Sequence, residues 1–255
     1  MFMELNGRAS IITGGGSGIG AECARTLAAK GMKVAIMDVN MDGALAVADE
    51  CGGTAIRCDV TSSESAESAV KAARDKNGIA QLLVNCAGVG TPGRIVNRNG
   101  PLPLEAYEAV IKVNLIGTFN MLRLVAADMQ EAEPMQDGER GLIINTASVA
   151  AYEGQIGQAA YASSKGGIVA LNIVAARELA RSGIRVNTIS PGLIDTPMME
   201  GLPPEAYESL AQQPEFPKRL GTPKDYVKLV LHLCDNVLIN GDVIRLDGAL
   251  RMAAR

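Results

Sequence analysis

The chain has 255 residues, of which 47% are hydrophobic, and its formal net charge is −4 at pH 7. This length suits one large domain with a sheet buried beneath helices. The acidic balance, with no basic stripe, argues against nucleic acid as a partner. The five cysteines lack a CxxC pair and disulfide-framework spacing, so we expect a reducing compartment and no metal site.

The amino-terminal segment lacks the usual export signals. Residues 1–7 do not combine a basic start with an apolar core. No apolar run is expected to reach membrane-spanning length. The first predicted strand begins by Arg8, which leaves no room for an organelle-targeting presequence. These features predict a cytoplasmic protein without a membrane partner.

Short apolar runs rich in β-branched residues alternate with longer amphipathic segments along the chain. The predicted strands are 9–13, 33–38, 54–58, 81–85, 142–147, 185–190 and 243–246. The predicted helices are 18–30, 42–50, 63–76, 104–130, 158–181 and 223–235. Near-continuous apolar strands separated by helices indicate a parallel sheet buried on both faces. The predicted fold class is therefore α/β, a single-domain Rossmann-type doubly wound parallel sheet of seven strands with helices on both faces.

Three segments interrupt this alternation. Residues 90–103 form a long loop rich in proline and glycine, and residues 131–140 read as a polar surface insertion. The proline-rich segment 193–222 is predicted to be a mobile lid with short helices. Because no linker or repeat is visible, residues 1–255 are taken as one domain with a substrate loop at 90–103.

A glycine run follows the first strand and opens the first helix. Gly14, Gly18 and Gly20 have the spacing GxxxGxG, with Ser17 and Ile19 between them. Glycines let the backbone approach a pyrophosphate, and the helix N-terminus supplies amide donors and positive potential. A glycine run alone is weak support for a nucleotide site, because ordinary turns are also rich in glycine.

Asp38 ends the second strand and strengthens the nucleotide interpretation. An acid at about this distance from the glycine run binds the ribose hydroxyls of the adenosine. Its carboxylate would repel a 2′-phosphate, and the next residue, Val39, offers no cation. The cofactor predicted from this pattern is NAD. An exposed aspartate at a strand end is the simpler alternative.

Two further strand ends carry candidate cofactor contacts. Asp59 and Val60 follow the third strand, where they would bracket an adenine, although a turn aspartate is the common alternative. Asn85, Cys86, Ala87 and Gly88 end the fourth strand, at the edge of an α/β sheet that faces its ligand. Their small side chains permit close approach to a ribose, but a strand-to-loop glycine is the simpler reading.

Ser148, Tyr161 and Lys165 form the candidate catalytic group. Lys165 lies four residues after Tyr161, so on a helix the two side chains share a face. A tyrosine has an ordinary pKa of about 10, and a neighbouring cation stabilises its phenolate. Ser148 is placed to hold a carbonyl or alcohol oxygen against the phenol. Together with a nucleotide loop, these residues predict hydride transfer.

These motifs resemble the short-chain dehydrogenase/reductase family along essentially the whole chain. The matching pieces are Thr13 to Gly20, Asp38, Asp59-Val60, Asn85 to Gly88, Asn114, Ser148, Tyr161 with Lys165, and Pro191-Gly192. One residue departs from the pattern, since Cys86 stands where the family usually has asparagine. Within the family, the stretches 141–161 and 240–252 are most similar to members that act on 3-hydroxyacyl-CoA.

The resemblance implies a role for each matched residue. Tyr161 exchanges the substrate proton, Lys165 supports the phenolate and the nicotinamide ribose, and Ser148 orients the reacting oxygen. Asn114 anchors a water that connects Lys165 to solvent. Pro191, Gly192, Ile194 and Thr196 are expected to contact the nicotinamide. From its position between Ser148 and Tyr161, Gln155 is predicted to contact the substrate, with an ordinary loop glutamine as the simpler alternative. The family also implies a homotetramer, for which the apolar helix 158–181 is a candidate interface.

The resemblance predicts an NAD-dependent dehydrogenase that acts reversibly on the 3-hydroxy group of short-chain or branched acyl-CoA thioesters, as part of fatty acid metabolism. Oxidation of a steroid or other secondary alcohol is one alternative. Reduction of a 3-oxoacyl carrier protein is another, but Asp38 argues against the NADPH that such enzymes usually use. A nucleotide-sensing or scaffold protein is a non-enzymatic alternative, which the intact catalytic group argues against. The only histidine, His232, is predicted to serve packing or an interface.

Overall fold

The architecture is a parallel sheet enclosed by helices, seen in a computed structural model that describes residues 3–199 and 203–254. Seven parallel strands follow the order β3-β2-β1-β4-β7-β8-β9. They are β1 Ala9–Thr13, β2 Lys33–Asp38, β3 Thr54–Arg57, β4 Ala80–Asn85, β7 Gly141–Thr146, β8 Ile184–Pro191 and β9 Val243–Leu246. A two-stranded hairpin, β5 Val96–Asn97 and β6 Gly100–Pro101, lies apart from them. The predicted fold class is confirmed.

Eight α-helices connect and cover the strands in the described part of the chain. They are α1 Gly18–Ala29, α2 Met41–Cys51, α3 Ser63–Asn77, α4 Leu104–Ile111, α5 Gly117–Gln130, α6 Ala159–Ala180, α7 Pro204–Ala211 and α8 Pro223–Asp235. Side-chain caps explain several of the starts. Ser62 accepts a bond from the Ser65 amide before α3, and Thr222 with Asp225 forms a capping box on α8.

Side chains that alternate along each strand build two cores, one on each face of the sheet. Ile12 on β1 packs in the core that contains Leu27 of α1 and Val230 of α8. Its neighbour Ile11 points to the other face, into the core that contains Met121 of α5. Because successive strand residues point to opposite faces, continuous apolar strands need helices on both sides.

The predicted helix over 104–130 is interrupted. A π-helical turn, Lys112–Ile116, separates α4 from α5. The whole stretch Leu104–Gln130 is long and apolar enough to cross a membrane, with a mean hydropathy of 1.4 in its best window. The expectation that no apolar run reaches that length was therefore wrong. Half of that window is buried inside the fold, and a buried core helix meets the same criteria, so this is weak support for a membrane span.

The three irregular segments of the sequence have different structures. Residues 90–103 contain the β5–β6 hairpin, and residues 131–140 contain a short 3-10 turn, Gln136–Gly138. The segment 193–222 contains α7 and a 3-10 turn, Pro197–Met199, and its ends meet where Ile194 pairs with Gly221. Residues 200–202 of the predicted lid lie outside the described residues.

A buried ion pair lies at the amino-terminal edge of the sheet, at the opposite ends of the strands from the glycine run. The Arg185 Nε donates to Glu139 Oε1 at 2.8 Å, and both side chains are only 8% exposed. Arg185 also donates to the backbone carbonyls of Asn236 and Ile239. Its Nη2 has no hydrogen-bond partner among the described residues. Among the described residues, Glu139 is therefore the only carboxylate that pairs with the Arg185 guanidinium.

Replacing Glu139 should cost far more stability than replacing an exposed partner of another arginine. Glu139→Ala leaves the Arg185 charge buried and uncompensated, which costs about 3 kcal/mol of the free energy of unfolding. Glu67, whose pair with Arg123 is 57% exposed at the carboxylate, is the matched control. Glu67→Ala should cost less than about 1 kcal/mol. Urea unfolding at pH 7 measures both, and equal losses would contradict the assignment.

Candidate active site

Three buried polar side chains tie together the carboxyl ends of the central strands. Thr13, Asn85 and Asn145 are aligned in register on β1, β4 and β7. Asn85 Nδ2 donates to Asn145 Oδ1 at 3.0 Å, and Thr13 Oγ1 donates to Asn85 Oδ1 at 3.4 Å. The Thr13 hydroxyl also accepts the amides of Cys86 and Ala87 at 3.2 Å each. This ladder holds the glycine run beside the chain that leaves β4.

The glycines of the run are required by close backbone contacts. Gly14 has φ +62°, and a Cβ built on it would lie 2.8 Å from the backbone of Ala87. A Cβ on Gly20 would overlap the carbonyl oxygen of Gly14. Side chains at these two positions would push β1, β4 and α1 apart. The run is therefore a packed turn between two strand ends and a helix.

The beginning of α1 fits an anionic ligand. Ser17 precedes the helix in an extended conformation and makes no capping bond with its side chain. The first turn carries no acidic residue. Within the described residues no side chain of the cap or first turn competes for the amide donors and the positive end of the helix dipole, which suits a pyrophosphate. Together with the glycine contacts, this chemistry fits a bound dinucleotide.

Asp38 joins the glycine run to the second strand. Its Oδ2 accepts the Gly16 amide and its Oδ1 accepts the Asn40 amide, each at 2.9 Å. The carboxylate is therefore held in one orientation at the rim of a cavity of about 520 Å³. The following residue, Val39, is 55% exposed at the same rim.

Most of the predicted cofactor contacts line this one cavity. They are Gly14, Ser17, Gly18, Ile19, Gly20, Asp38, Asp59, Val60, Cys86, Ala87, Gly88 and Thr196. Sequence reasoning missed Val39, Cys58, Thr61, Val89, Gly90, Thr91, Val113 and Pro197, which also line it. These residues follow predicted motif residues directly in the chain, except for Cys58 and Val113. The other six could have been found by extending each predicted motif by a few residues toward the C-terminus.

The remaining predicted cofactor residues lie outside this cavity lining. Asn85 is buried in the ladder between strands, where its amide is used by Asn145. Pro191 ends β8, and Gly192 packs against Asp247 so closely that a Cβ would lie 2.9 Å from the Asp247 Cβ. Ile194 is buried and pairs with Gly221. Asp59, which does line the cavity, accepts the amide and hydroxyl of Thr61, which fixes the turn after β3.

The catalytic candidates come from β7 and α6. Ser148 follows β7 and is buried, with its hydroxyl accepting the Ala150 amide at 3.1 Å. Tyr161 and Lys165 lie one turn apart near the start of α6, as their spacing predicts. The Lys165 Nζ is 5.7 Å from the centre of the Tyr161 ring. The Ser148 hydroxyl also interacts with the Tyr161 phenol, so the structure brings the three predicted residues together.

Lys165 is the most strongly perturbed of these groups. It is 5% exposed, and its Nζ donates to the Thr146 carbonyl oxygen at 2.7 Å. Burial lowers the pKa of Lys165 to about 8, and the nearby Cys86 sulfur opposes that decrease. Thr146 is in turn bonded through its hydroxyl to the buried Tyr226 phenol at 2.8 Å. The lysine is fixed by the Thr146 carbonyl at the end of β7, and no carboxylate pairs with it in the part of the chain that the structure describes.

The pKa of Tyr161 moves in the direction opposite to that expected from the sequence. Burial raises it, and the Ser148 hydroxyl, which interacts with the phenol, opposes the increase. The expected decrease failed because desolvation disfavours the phenolate, while the Lys165 ammonium is directed to the Thr146 carbonyl. A tyrosine with a raised pKa keeps its proton at neutral pH, so it is ready to donate that proton to a ketone oxygen.

Asn114 occupies the π-helical turn and is fully buried. Its amide clamps the loop after β4, accepting the Val89 amide at 2.8 Å and donating to the Val89 carbonyl at 2.9 Å. It also donates to Ser164 Oγ at 3.0 Å. A Cβ on Gly88 would lie 3.3 Å from Asn114 Oδ1 and 3.6 Å from Lys165 Nζ. Asn114 thus holds the loop after β4, which carries Gly88, next to Lys165. The water expected to connect Lys165 to solvent through Asn114 stays a prediction.

Gln155, predicted to contact the substrate, and His232, predicted to serve packing or an interface, have other surroundings in the structure. Gln155 donates from its side chain to the Ala253 carbonyl at 3.1 Å, so its amide is occupied by the C-terminal segment. His232 is exposed on α8, so it does not pack in the core. That part of its prediction was wrong, because α8 buries Leu233 and Cys234 and turns His232 outward.

A doubly wound sheet with a dinucleotide turn and a Ser-Tyr-Lys group at the same edge defines a nicotinamide-dependent oxidoreductase. The family model described as short chain dehydrogenase matches residues 8–206. The chain belongs to this family, as its motifs predicted.

The relatives cover nearly the whole chain. Human 3-hydroxyacyl-CoA dehydrogenase type-2 is 46% identical over 98% of this chain and 97% of its own length. The crystal structure of 3-hydroxyacyl-CoA dehydrogenase type-2 from Mycobacterium avium superposes with a TM-score of 0.92 at 44% identity, covering 98% of each chain. A 7α-hydroxysteroid dehydrogenase complexed with NADH and 7-oxo glycochenodeoxycholic acid has a TM-score of 0.88 at 32% identity, covering 99% of this chain and 98% of its own.

The low pKa of Lys165 predicts how stability depends on pH. The folded pKa of about 8 lies below the ordinary 10.5, so between these values the unfolded chain binds the proton more tightly. The free energy of unfolding should therefore rise with pH across this window, by roughly 3 kcal/mol in total. Lys165→Met lacks this titration.

Urea unfolding of wild type and Lys165→Met at pH 7, 8, 9 and 10 measures the difference. Wild type should gain stability relative to the variant as the pH rises. Lys112→Met is the control, because the Lys112 side chain is 60% exposed. A difference between wild type and Lys165→Met that does not change with pH would contradict the buried charge.

Proposed function

We propose that this protein is an NAD-dependent dehydrogenase that acts reversibly on the 3-hydroxy group of short-chain or branched 3-hydroxyacyl-CoA. The main support is the 46% identity to human 3-hydroxyacyl-CoA dehydrogenase type-2 over 98% of the chain. This match includes the strand ends and α6, which carry the cofactor turn and the catalytic group. A similarity restricted to the cofactor half would support the family alone.

The side chains at the site account for the proton step. A nicotinamide cofactor held by the residues that line the cavity would accept or supply the hydride. In reduction, Tyr161 donates its proton to the ketone oxygen, and the Ser148 hydroxyl holds that oxygen and shares its developing charge. In oxidation the proton returns to Tyr161, for which Lys165 supplies a cation near the ring. The bond from Lys165 to Thr146 keeps this cation in place.

The choice of NAD rests on Asp38. Its carboxylate is fixed by two backbone amides and faces the cavity, so a 2′-phosphate would meet a like charge. Arg57 is the register partner of Asp38 on β3, but the two side chains form no ion pair in the described part of the structure. A ribose with free hydroxyls avoids this repulsion and has an acceptor ready for it.

Asp38→Ala should reduce the preference for NAD over NADP. Close like-charge contact costs several kcal/mol, so the ratio of kcat/KM for the two cofactors should fall by about 10²-fold or more. Asp42→Ala is the control, because Asp42 is an exposed carboxylate at the start of α2. Equal use of both cofactors by wild type, or the same ratio in Asp38→Ala, would refute this assignment.

The loop 90–103, which contains the β5–β6 hairpin and is called the hairpin loop from here on, supports an acyl-CoA substrate. Arg94 and Arg98 are exposed on it and make no ion pair within the described residues. Lys218 and Arg219, two cations of the segment 193–222, are already paired with Glu215 and Asp225. Binding energy from the nucleotide handle can be used to position the reacting 3-oxo group. The two hairpin arginines are therefore the better candidates for the phosphates.

A steroid or other secondary alcohol is the second candidate substrate. The similar 7α-hydroxysteroid dehydrogenase is complexed with a bile acid derivative. Ile95, Val96 and Leu104 are between 65% and 71% exposed around the hairpin, where an apolar ring system would find contacts. A 3-oxoacyl carrier protein is disfavoured as a substrate by Asp38, as the sequence predicted.

The homotetramer stays a proposal with support from surface residues. Ile116, the last residue of the π-helical turn, and Phe119 on α5 are each 48% exposed, and Ile173 and Val174 on α6 are 42% and 49% exposed. Apolar side chains on neighbouring helices of this kind favour association between copies of a chain.

Substrate assays with NADH test the proposed function. Acetoacetyl-CoA should be reduced with a higher kcat/KM than estrone, and Tyr161→Phe should lose about 10²–10⁴-fold in kcat on either substrate. The double variant Arg94→Gln/Arg98→Gln should raise KM for acetoacetyl-CoA and leave KM for estrone unchanged. Saturable estrone reduction without acyl-CoA activity would refute the thioester assignment and favour the steroid.

A further inference from the structure

The C-terminal segment 247–254 lies along the loop 152–158, which connects Ser148 to the helix that carries Tyr161. The Ile156 amide donates to the Ala254 carbonyl at 3.0 Å, and the Gln155 side chain donates to the Ala253 carbonyl at 3.1 Å. The end of the chain therefore closes one side of the loop 152–158, which we call the catalytic loop.

Arg245 and Glu153 form the centre of this contact. The guanidinium donates to both carboxylate oxygens of Glu153, at 2.9 and 3.2 Å. Such a bidentate pair fixes orientation as well as distance. The Arg245 Nε donates to Asp247 at 2.7 Å, and the guanidinium lies 5.4 Å from the centre of the Tyr152 ring. The pair is mostly shielded, with side-chain exposures of 23% for Arg245 and 21% for Glu153.

The same two residues also hold the C-terminal backbone. Glu153 Oε2 accepts the Met252 amide at 3.0 Å, and Arg245 Nη2 donates to the Leu250 carbonyl at 2.9 Å. Each member of the pair therefore bonds both its partner and the C-terminal segment. Removing the Glu153 charge would release the loop and the C-terminal segment together.

The turn after Arg245 reaches two more walls of the active site. Asp247 packs against Gly192, and the Gly248 carbonyl accepts the Glu215 amide at 2.9 Å. On the other side of the catalytic loop, the Gly157 carbonyl accepts the Gly93 amide at 2.7 Å. The nicotinamide end, the 193–222 segment and the 90–103 loop are therefore joined through one cluster.

Backbone strain marks the same turn. Ala249 has φ +63°, a conformation that residues other than glycine rarely adopt. Its amide is held by the Asp247 carboxylate at 3.0 Å. Strained residues persist where the surrounding contacts determine the conformation. The turn is thus fixed by its contacts and not by local preference.

We propose that Glu153 and Arg245 are positioning residues that hold the loop between Ser148 and Tyr161 against the C-terminal segment and so shape the substrate wall. Neither side chain belongs to the reacting group. The loop spans the two elements that carry Ser148 and Tyr161, so its release widens the space in which the substrate carbonyl must be held. The cost falls on substrate binding more than on the cofactor, whose cavity is lined by other segments.

Glu153→Gln tests this role, with Asp128→Asn as the matched control. Asp128 pairs with Arg74 at 3.1 Å and is 23% exposed, and the change from carboxylate to amide is the same. Glu153→Gln should raise KM for acetoacetyl-CoA about tenfold, on the scale of one lost charge-assisted hydrogen bond, while KM for NADH stays within about twofold. Hydrogen exchange at the Ile156 amide should become faster, while exchange in α1 stays unchanged. Asp128→Asn should change neither KM nor this exchange.

Two results would overturn the proposal: unchanged exchange at Ile156, or faster exchange with an unchanged substrate KM. If Glu153→Gln does not fold, Arg245→Lys keeps the positive charge and removes the bidentate fork, and the same two readouts decide. The inference rests on the oxidoreductase activity and not on the acyl-CoA assignment. If wild type reduces estrone and not acetoacetyl-CoA, the proposed function fails, and the estrone KM then decides the role of the pair.

Discussion

The hydrogen-bond ladder across β1, β4 and β7 is the constraint on which the site depends. Buried polar groups are costly when they lose their partners, so the bonds from Thr13 to Asn85 and from Asn85 to Asn145 favour one register of the three strands, although Asn145 Nδ2 has no partner among the described residues. Because the Thr13 hydroxyl also accepts two amides of the chain leaving β4, that register brings the glycine run against Ala87. The cofactor cavity is the space that this junction leaves open.

Burial controls the catalytic group as strongly as charge does. In water, a lysine near a tyrosine would lower the pKa of the phenol. Here desolvation lowers the pKa of Lys165 and raises that of Tyr161, so the two proton affinities, which are similar in water, move apart. The protein sets this balance with the Thr146 carbonyl, which holds the ammonium inside the fold. The same burial that tunes the site also costs stability at neutral pH.

Segments far apart in the sequence enclose the substrate side. A backbone bond at Gly157 joins the loop 152–158 to the loop 90–103, and one at Gly248 joins the C-terminal turn to the segment 193–222. The pair of Glu153 and Arg245 joins the loop 152–158 to the C-terminal turn. A parallel sheet places strand ends at one edge, but it does not join the loops that extend beyond that edge. Charge-assisted hydrogen bonds supply that connection. The cofactor half of the site relies instead on backbone packing and on the helix N-terminus.

The sequence alone determined the sheet, its strands and the residue types of the site. These features are local: apolar periodicity, glycines at strand ends, and a Tyr–Lys pair spaced by one helical turn. The tertiary structure decided the rest. It placed Asn85 in the interstrand ladder, interrupted the helix at Asn114, turned His232 outward and reversed the expected direction of the Tyr161 pKa. Each of these depends on burial and on partners distant in the chain, and spacing along a sequence carries no record of either.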